Sequence, residues 1–223
     1  MKSLYLLSGL GADHRVFDFL EFGDFSTKPV EWIKPGKDES IQSYARRLAE
    51  QIDDANPILI GLSFGGMMAV ELAKIISASG VILLSSARDK HQLPAFNRAI
   101  APFNLVQWLP PRLLKQPNLV LHWLFGLESK QEKKLLKDIL QDTDDDFLKW
   151  GISQVPQWTN TDATPNLIQI HGKSDRVFPH RQGDYLVDDG GHFMVVNRAP
   201  VVSAMLAQAL RTLTGSESGR GSL

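Results

Sequence analysis

At 223 residues, with 43% hydrophobic and 22% charged side chains, the chain has the size and composition of one globular domain and is too apolar for intrinsic disorder. Twenty-four Lys and Arg against 25 Asp and Glu leave a formal charge of −1, without the basic footprint of a nucleic-acid binder. The absence of Cys excludes disulfides, zinc–thiolate and iron–sulfur sites and a thiol nucleophile. Apolar runs of about four to six residues fall well short of the ~20 residues a membrane span requires, so no membrane insertion is expected. The first run ends at Ser8-Gly9, too short for a signal-peptide core, and reads as a core strand. A cytoplasmic location is expected.

In chain order, residues 4–8, 30–33, 57–62, 81–85 and 167–171 read as strands, mostly apolar throughout, as parallel strands covered on both faces are. Between them, Ile41, Tyr44, Ala45, Leu48 and Ile52 fall on one helical face. Val201, Val202, Met205, Leu206, Ala209, Leu210 and Leu213 repeat that spacing after Pro200, a first-turn residue. The alternation predicts an α/β fold around a mostly parallel sheet. It breaks between residues 88 and 164, a proline-rich segment with four of the five tryptophans. One helix is evident there, opened by the capping-box pair Ser129 and Glu132 ahead of Leu135, Leu136, Ile139 and Leu140. The segment reads as a helical insertion packed over one end of the sheet. One domain is expected over residues 1–214, with residues 215–223 a Gly/Ser-rich flexible tail.

The sharpest motif is Gly61-Leu62-Ser63-Phe64-Gly65-Gly66, between an apolar strand and the helical run 67–73. Glycines flank the serine because a chain turning this tightly from strand into helix leaves no room for side chains. A serine hydroxyl needs a base to take its proton and a carboxylate to hold that base. His192, in the glycine-flexed loop Asp188-Asp189-Gly190-Gly191-His192, is placed to swing over the strand ends. Asp175, in the loop after residues 167–171, supplies the carboxylate, with Asp89 after the strand 81–85 as the alternative. Asp188 and Asp189 read as turn residues, His171 as buried at a strand end, and His14, His91, His122 and His180 as surface or packing residues. No histidine pairs with carboxylates at ligand spacing, so no metal site is expected. Gly9-Leu10-Gly11 lacks the third glycine of a dinucleotide loop, His14 standing in its place, and no cofactor is implied.

The elbow around Ser63, the His171-Gly172-Lys173-Ser174-Asp175 loop and the late Gly190-Gly191-His192 resemble the α/β-hydrolase superfamily over nearly the whole chain, outside the insertion and tail. The resemblance implies that fold, with a reduced sheet of about six mostly parallel strands and a helical cap over residues 88–164. It implies an oxyanion hole from the backbone amides of Leu10 and Phe64, donors worth about 3–4 kcal/mol each in acyl transfer. Ser8 stands where the family usually carries a histidine, which leaves the support of that loop open. The implied activity is a serine hydrolase, carboxylesterase-like, acting on a small, mostly apolar acyl substrate. Thioester cleavage, C–C bond hydrolysis and cofactor-free perhydrolysis use the same machinery. A non-catalytic binding module on this fold is the alternative of another class. Trp108, Trp123 and Trp150 of the insertion are the expected pocket walls.

Overall fold

The computed structural model describes residues 3–94, 110–179 and 182–215. Six strands form one sheet in the order β2-β1-β3-β4-β5-β6, every neighbouring pair parallel. They are β1 (Ser3–Leu7), β2 (Ser26–Pro29), β3 (Ile58–Leu62), β4 (Gly80–Leu84), β5 (Leu167–Gly172) and β6 (Tyr185–Val187). The helices are α1 (Ile41–Leu48), α2 (Phe64–Ala73), α3 (Pro111–Leu114), α4 (Leu119–Phe125), α5 (Lys130–Asp142), α6 (Asp145–Gln157), α7 (Met194–Asn197) and α8 (Ala199–Gly215). No described helix is long and apolar enough to cross a membrane.

The period-two geometry of a strand sends alternate side chains to opposite faces. On one face Leu4, Leu6, Ile58, Ile60, Ile82 and Ile170 pack with Val202, Leu206 and Leu210 of α8 and Leu136 and Ile139 of α5. On the other, Tyr5, Leu7, Leu59, Val81 and Leu83 pack with Tyr44 and Leu48 of α1 and Met67 and Val70 of α2. The uniformly buried patterns of β3 and β4 match the near-continuous apolar runs of the sequence.

Three elements differ from the sequence reading. The second strand is Ser26–Pro29, not residues 30–33. An edge strand needs only one partner and little burial, so its mostly exposed side chains carry no apolar signal. Val30 still donates its N–H to the Leu6 carbonyl (2.9 Å), but Trp32 and Ile33 beyond it are partly buried by packing on the aromatic side of the core instead of pairing as a strand. The sixth strand, β6, completes the expected sheet of about six strands, but with only three residues at the opposite edge it has no apolar run to mark its position. The first helix stops at Leu48 and closes through a 3-10 turn over Ala49–Gln51.

Between β4 and β5 lie four described helices rather than one, and no strand among the described residues. Each of the longer three begins at a side-chain cap: Asn118 onto the Leu121 N–H, Ser129 onto Glu132 and Asp144 onto Phe147. The ends of the segment are tied together, since Asn160 donates to the Arg88 carbonyl (3.1 Å) and accepts from the Lys90 N–H through its own carbonyl (2.9 Å). Trp158 then fastens the segment to α2: its Nε1–H donates to the buried Glu71 carboxylate at 2.7 Å, which Lys74 also holds at 3.0 Å. Gly215 ends α8, and the remainder of the expected tail, residues 216–223, lies outside the described residues.

Trp158→Phe keeps most of the buried ring but leaves the buried Glu71 carboxylate one donor short. A loss of about 1.5–3 kcal/mol is expected in chemical denaturation, and Glu71→Gln, which retains an acceptor for the indole, should lose less.

Candidate active site

The chain leaves β3 at Ser63 with φ 53° and ψ −119°, a conformation that L-residues rarely adopt. Crowding enforces it. A Cβ on Gly61 would lie 2.4 Å from the Gly65 carbonyl oxygen, and one on Gly65 only 2.2 Å from the Leu7 carbonyl oxygen. Two hydrogen bonds brace the turn: the Ser63 N–H donates to the Leu84 carbonyl (2.9 Å), and the Ser86 hydroxyl donates to the Ser63 carbonyl (2.6 Å). Helix α2 begins immediately after, so the serine hydroxyl projects from the carboxyl end of the central strand.

The loops after β5 and β6 converge on that hydroxyl. Gly172 and Gly190 touch so closely that a Cβ on Gly172 would sit 2.1 Å from the Gly190 carbonyl oxygen, which accepts the Ser174 N–H at 2.9 Å. One loop thereby presents Asp175 and the other His192. Asp175 Oδ2 lies 2.9 Å from His192 Nδ1, and His192 Nε2 lies 2.9 Å from Ser63 Oγ. The carboxylate fixes the proton on Nδ1 and leaves Nε2 free to accept from the serine.

Asp175 is held from its other side as well. Its Oδ1 accepts the Val177 and Phe178 N–H groups (2.8 and 2.9 Å). His171, fully buried, donates Nε2–H to the Phe178 carbonyl (2.9 Å), and that nitrogen stands 3.8 Å from Asp175 Oδ2. Burial alone would push the Asp175 carboxyl up. The charge of His192, its hydrogen bond, the charge of His171 and the Phe178 amide together hold it below its ordinary range. Asp175 and His192 are each 4% exposed, and the imidazole lies edge-on to Phe125 (5.0 Å between ring centres) and Phe178 (5.6 Å). Asp89 is elsewhere: it caps the turn at Lys90–Gln92 by accepting the His91 N–H (2.7 Å).

The loop after β1 approaches from the opposite side. A Cβ on Gly9 would come within 3.3 Å of Ser63 Cβ. Residues 9–12 form a turn closed by the Ala12 N–H on the Gly9 carbonyl (3.1 Å), with Gly11 at φ 63°. Neither the Leu10 nor the Phe64 amide hydrogen-bonds to another described residue. The Ser8 hydroxyl spans the turn, donating to the Ala12 carbonyl (2.8 Å) and accepting the Trp32 indole N–H (2.9 Å). Trp32 had no signal in the sequence beyond its place in an apolar run.

Beside Ser63 lies an apolar cavity of about 30 Å3, walled by Leu10, Val16, Phe125, Leu136, Ile139 and Phe193. Phe125, Leu136 and Ile139 of the insertion line this cavity, and neither Trp123 nor Trp150 is among its walls. Trp123 is 59% exposed and turns away, its ring under the Arg176 guanidinium (4.6 Å). Trp150 packs on Tyr44 (4.3 Å) and donates its indole N–H to the Glu39 carbonyl (2.7 Å), so the need of that N–H for an acceptor draws the ring toward α1. Trp108 lies outside the described residues. Leu136 and Ile139 belong to the apolar stripe that the sequence shows for α5, whereas Phe125 carries no such signal.

Two outcomes follow from this geometry. Gly65→Ala should destabilise the fold by about 3 kcal/mol or more in denaturant titration, because the atoms in the way are β1 backbone. The lowered Asp175 contributes stability above the unfolded carboxyl value near 3.9, which is lost as pH falls through the folded value. Thermal melts from about pH 6 down to pH 3 should therefore fall less steeply for Asp175→Asn than for the wild type.

Comparison with known proteins agrees with this architecture. The chain is 27% identical over 169 residues to the thioesterase AMT4 of Alternaria alternata, a match spanning 60% of this chain and 63% of that protein. Its fold superposes on an esterase from Exiguobacterium antarcticum with a TM-score of 0.69 at 15% identity, covering 95% of this chain and 92% of the other. A lipase-esterase related protein from Clostridium acetobutylicum gives 0.67 at 18% identity, covering 93% of each chain. The family model described as the alpha/beta hydrolase family matches residues 2–204, and the chain belongs to that family.

Proposed function

We propose that this hydrolase-family chain is a serine hydrolase that cleaves a carboxylic ester or related acyl compound bearing a short apolar acyl group, through an acyl-enzyme on Ser63. The observation that carries the reading is the unbroken path from Asp175 through His192 to Ser63, with 2.9 Å at each step. His192 Nε2 takes the hydroxyl proton as Ser63 Oγ attacks the carbonyl carbon, and the Asp175 carboxylate stabilises the resulting imidazolium. The unengaged amides of Leu10 and Phe64 receive the negative oxygen of the tetrahedral intermediate. His192 then gives its proton to the leaving oxygen or sulfur, and water, activated by the same imidazole, releases the acid. Esters and thioesters are served by the same atoms. The thioesterase relative supports including thioesters in the class. A binding module would have no use for a strained serine aligned with a buried imidazole–carboxylate pair.

The narrow apolar cavity supports a short acyl chain. Each methylene that it accommodates contributes about 0.8 kcal/mol, and the gain ends when the cavity is full. Across p-nitrophenyl esters from acetyl to dodecanoyl, kcat/KM should peak at the shortest members and fall thereafter; a steady rise toward dodecanoyl would overturn the assignment of acyl size.

Ser63→Ala removes only the hydroxyl. It should cut ester turnover by about 10⁴-fold or more and abolish fluorophosphonate labelling while the thermal melt stays near that of the wild type. Turnover in that variant close to wild-type level would refute the serine mechanism.

A further inference from the structure

The family resemblance leaves the support of the β1 loop open, because Ser8 stands where a histidine is usual. From the contacts of Ser8, we infer that Trp32 is a positioning residue for the oxyanion hole, setting both of its amide donors at once. The inference rests on the reading of Leu10 and Phe64 as those donors.

Two independent contacts of one side chain carry it. Through its edge, the Trp32 indole N–H donates to Ser8 Oγ (2.9 Å), which frees the Ser8 proton for the Ala12 carbonyl (2.8 Å). The Ser8–Ala12 bond clamps the turn whose first inner residue is Leu10, and so fixes the direction of the Leu10 N–H. The ring of the same indole also packs against the ring of Phe64, 5.8 Å between centres and tilted by 50°. Phe64 is the residue whose amide would be the second donor. Phe147 of α6 stacks on Trp32 at 4.9 Å and 25° and lies 6.3 Å from Phe64, so the three rings form one packed cluster that immobilises the indole. Ser8 and Phe64 are both buried. A single indole thus spans the two halves of the proposed hole.

Hydrogen-bond donors stabilise a developing oxyanion only when they are already aimed at it, and a displacement of about 1 Å can cost about a hundredfold. Loosening this clamp should therefore weaken the transition state and leave ground-state binding in the apolar cavity alone. The test uses Trp32→Phe, which keeps an aromatic ring but removes the N–H along with the five-membered ring, together with Ser8→Ala, which removes the acceptor and leaves the indole intact, and the double variant. Hydrolysis of p-nitrophenyl acetate is measured per site titrated with fluorophosphonate, so that unfolded molecules do not count. Inhibition by a short trifluoromethyl ketone, whose serine adduct carries an oxyanion, is measured alongside.

Each single variant should lower kcat about tenfold to a hundredfold with KM within about twofold, and weaken the ketone by a matching factor. The double variant should fall no further than the worse single one, because both changes cut the same chain of bonds. Wild-type kcat per titrated site in Trp32→Phe and Ser8→Ala, or a loss carried by KM alone, would overturn the proposal. Should Ser8→Ala yield no titratable sites, Trp32→Phe decides alone. Failure of the underlying reading looks different: the wild type would escape fluorophosphonate, or Ser63→Ala would keep its turnover.

Discussion

The constraint on which this molecule depends is the backbone of Ser63, held in a conformation that costs on the order of 1–3 kcal/mol. Nothing local to the serine favours it. The elements around it over-determine it: β3 delivers the chain between its parallel neighbours β1 and β4, α2 leaves at once, and β1 passes so close that Gly65 can carry no side chain. The Leu84 carbonyl and the Ser86 hydroxyl then bind the two sides of the Ser63 peptide unit from the neighbouring strand β4 and the loop beyond it. The central three strands thus have a task beyond forming a core. They supply the rigidity that keeps the hydroxyl outside the helix and in reach of an imidazole.

Two further loops meet that hydroxyl because of what the sheet edge does. Short as it is, β6 pairs with the end of β5 and holds Gly190 against Gly172, so the loops bearing His192 and Asp175 share backbone hydrogen bonds. The cap reinforces the arrangement from above: the Phe193 N–H donates to the Phe125 carbonyl (3.0 Å), and Asn197 donates to the Gly126 carbonyl (3.0 Å). In the proposed reaction the imidazole must move a proton without moving itself, and packing between Phe125 and Phe178 serves that end.

Much of this was legible from residue types alone. Parallel strands buried on both faces announce themselves as apolar runs, which is why the runs 4–8, 57–62, 81–85 and 167–171 coincide nearly residue for residue with β1, β3, β4 and β5. The elbow was legible because its glycines answer to sterics and to nothing else. What stayed hidden was whatever depends on one-sided burial or on a partner distant in sequence. The edge strands β2 and β6 bury too little to leave a pattern. Helix α4 places Leu119, Val120 and Trp123 at the surface, so its inward pair Leu121 and Phe125 is hidden among apolar neighbours, although Asn118 and Gly126 mark its ends. The tryptophans were assigned by bulk, whereas their positions follow the acceptors of their indole N–H groups: Glu39 for Trp150, Glu71 for Trp158 and Ser8 for Trp32. Such pairings join residues 24 to 111 positions apart, beyond the reach of any local pattern.

The same cap helices that bound the cavity also press on the β1 loop, and this ties two properties together. A Cβ on Gly11 would meet Leu140 of α5 at 2.4 Å, and one on Gly151 of α6 would meet the Leu10 side chain at 2.1 Å. Leu136 and Ile139, on the same helix as Leu140, wall the cavity. Interiors packed this tightly transmit displacement instead of absorbing it. A change on α5 that enlarges the cavity therefore also alters what backs Gly11 and, through it, the direction of the Leu10 amide. In the proposed enzyme the size of the acyl group and the stabilisation of the oxyanion are set by one set of contacts. Retailoring the cavity without loss of rate would then require compensation on the other side of the loop, where Ser8 and Trp32 hold it.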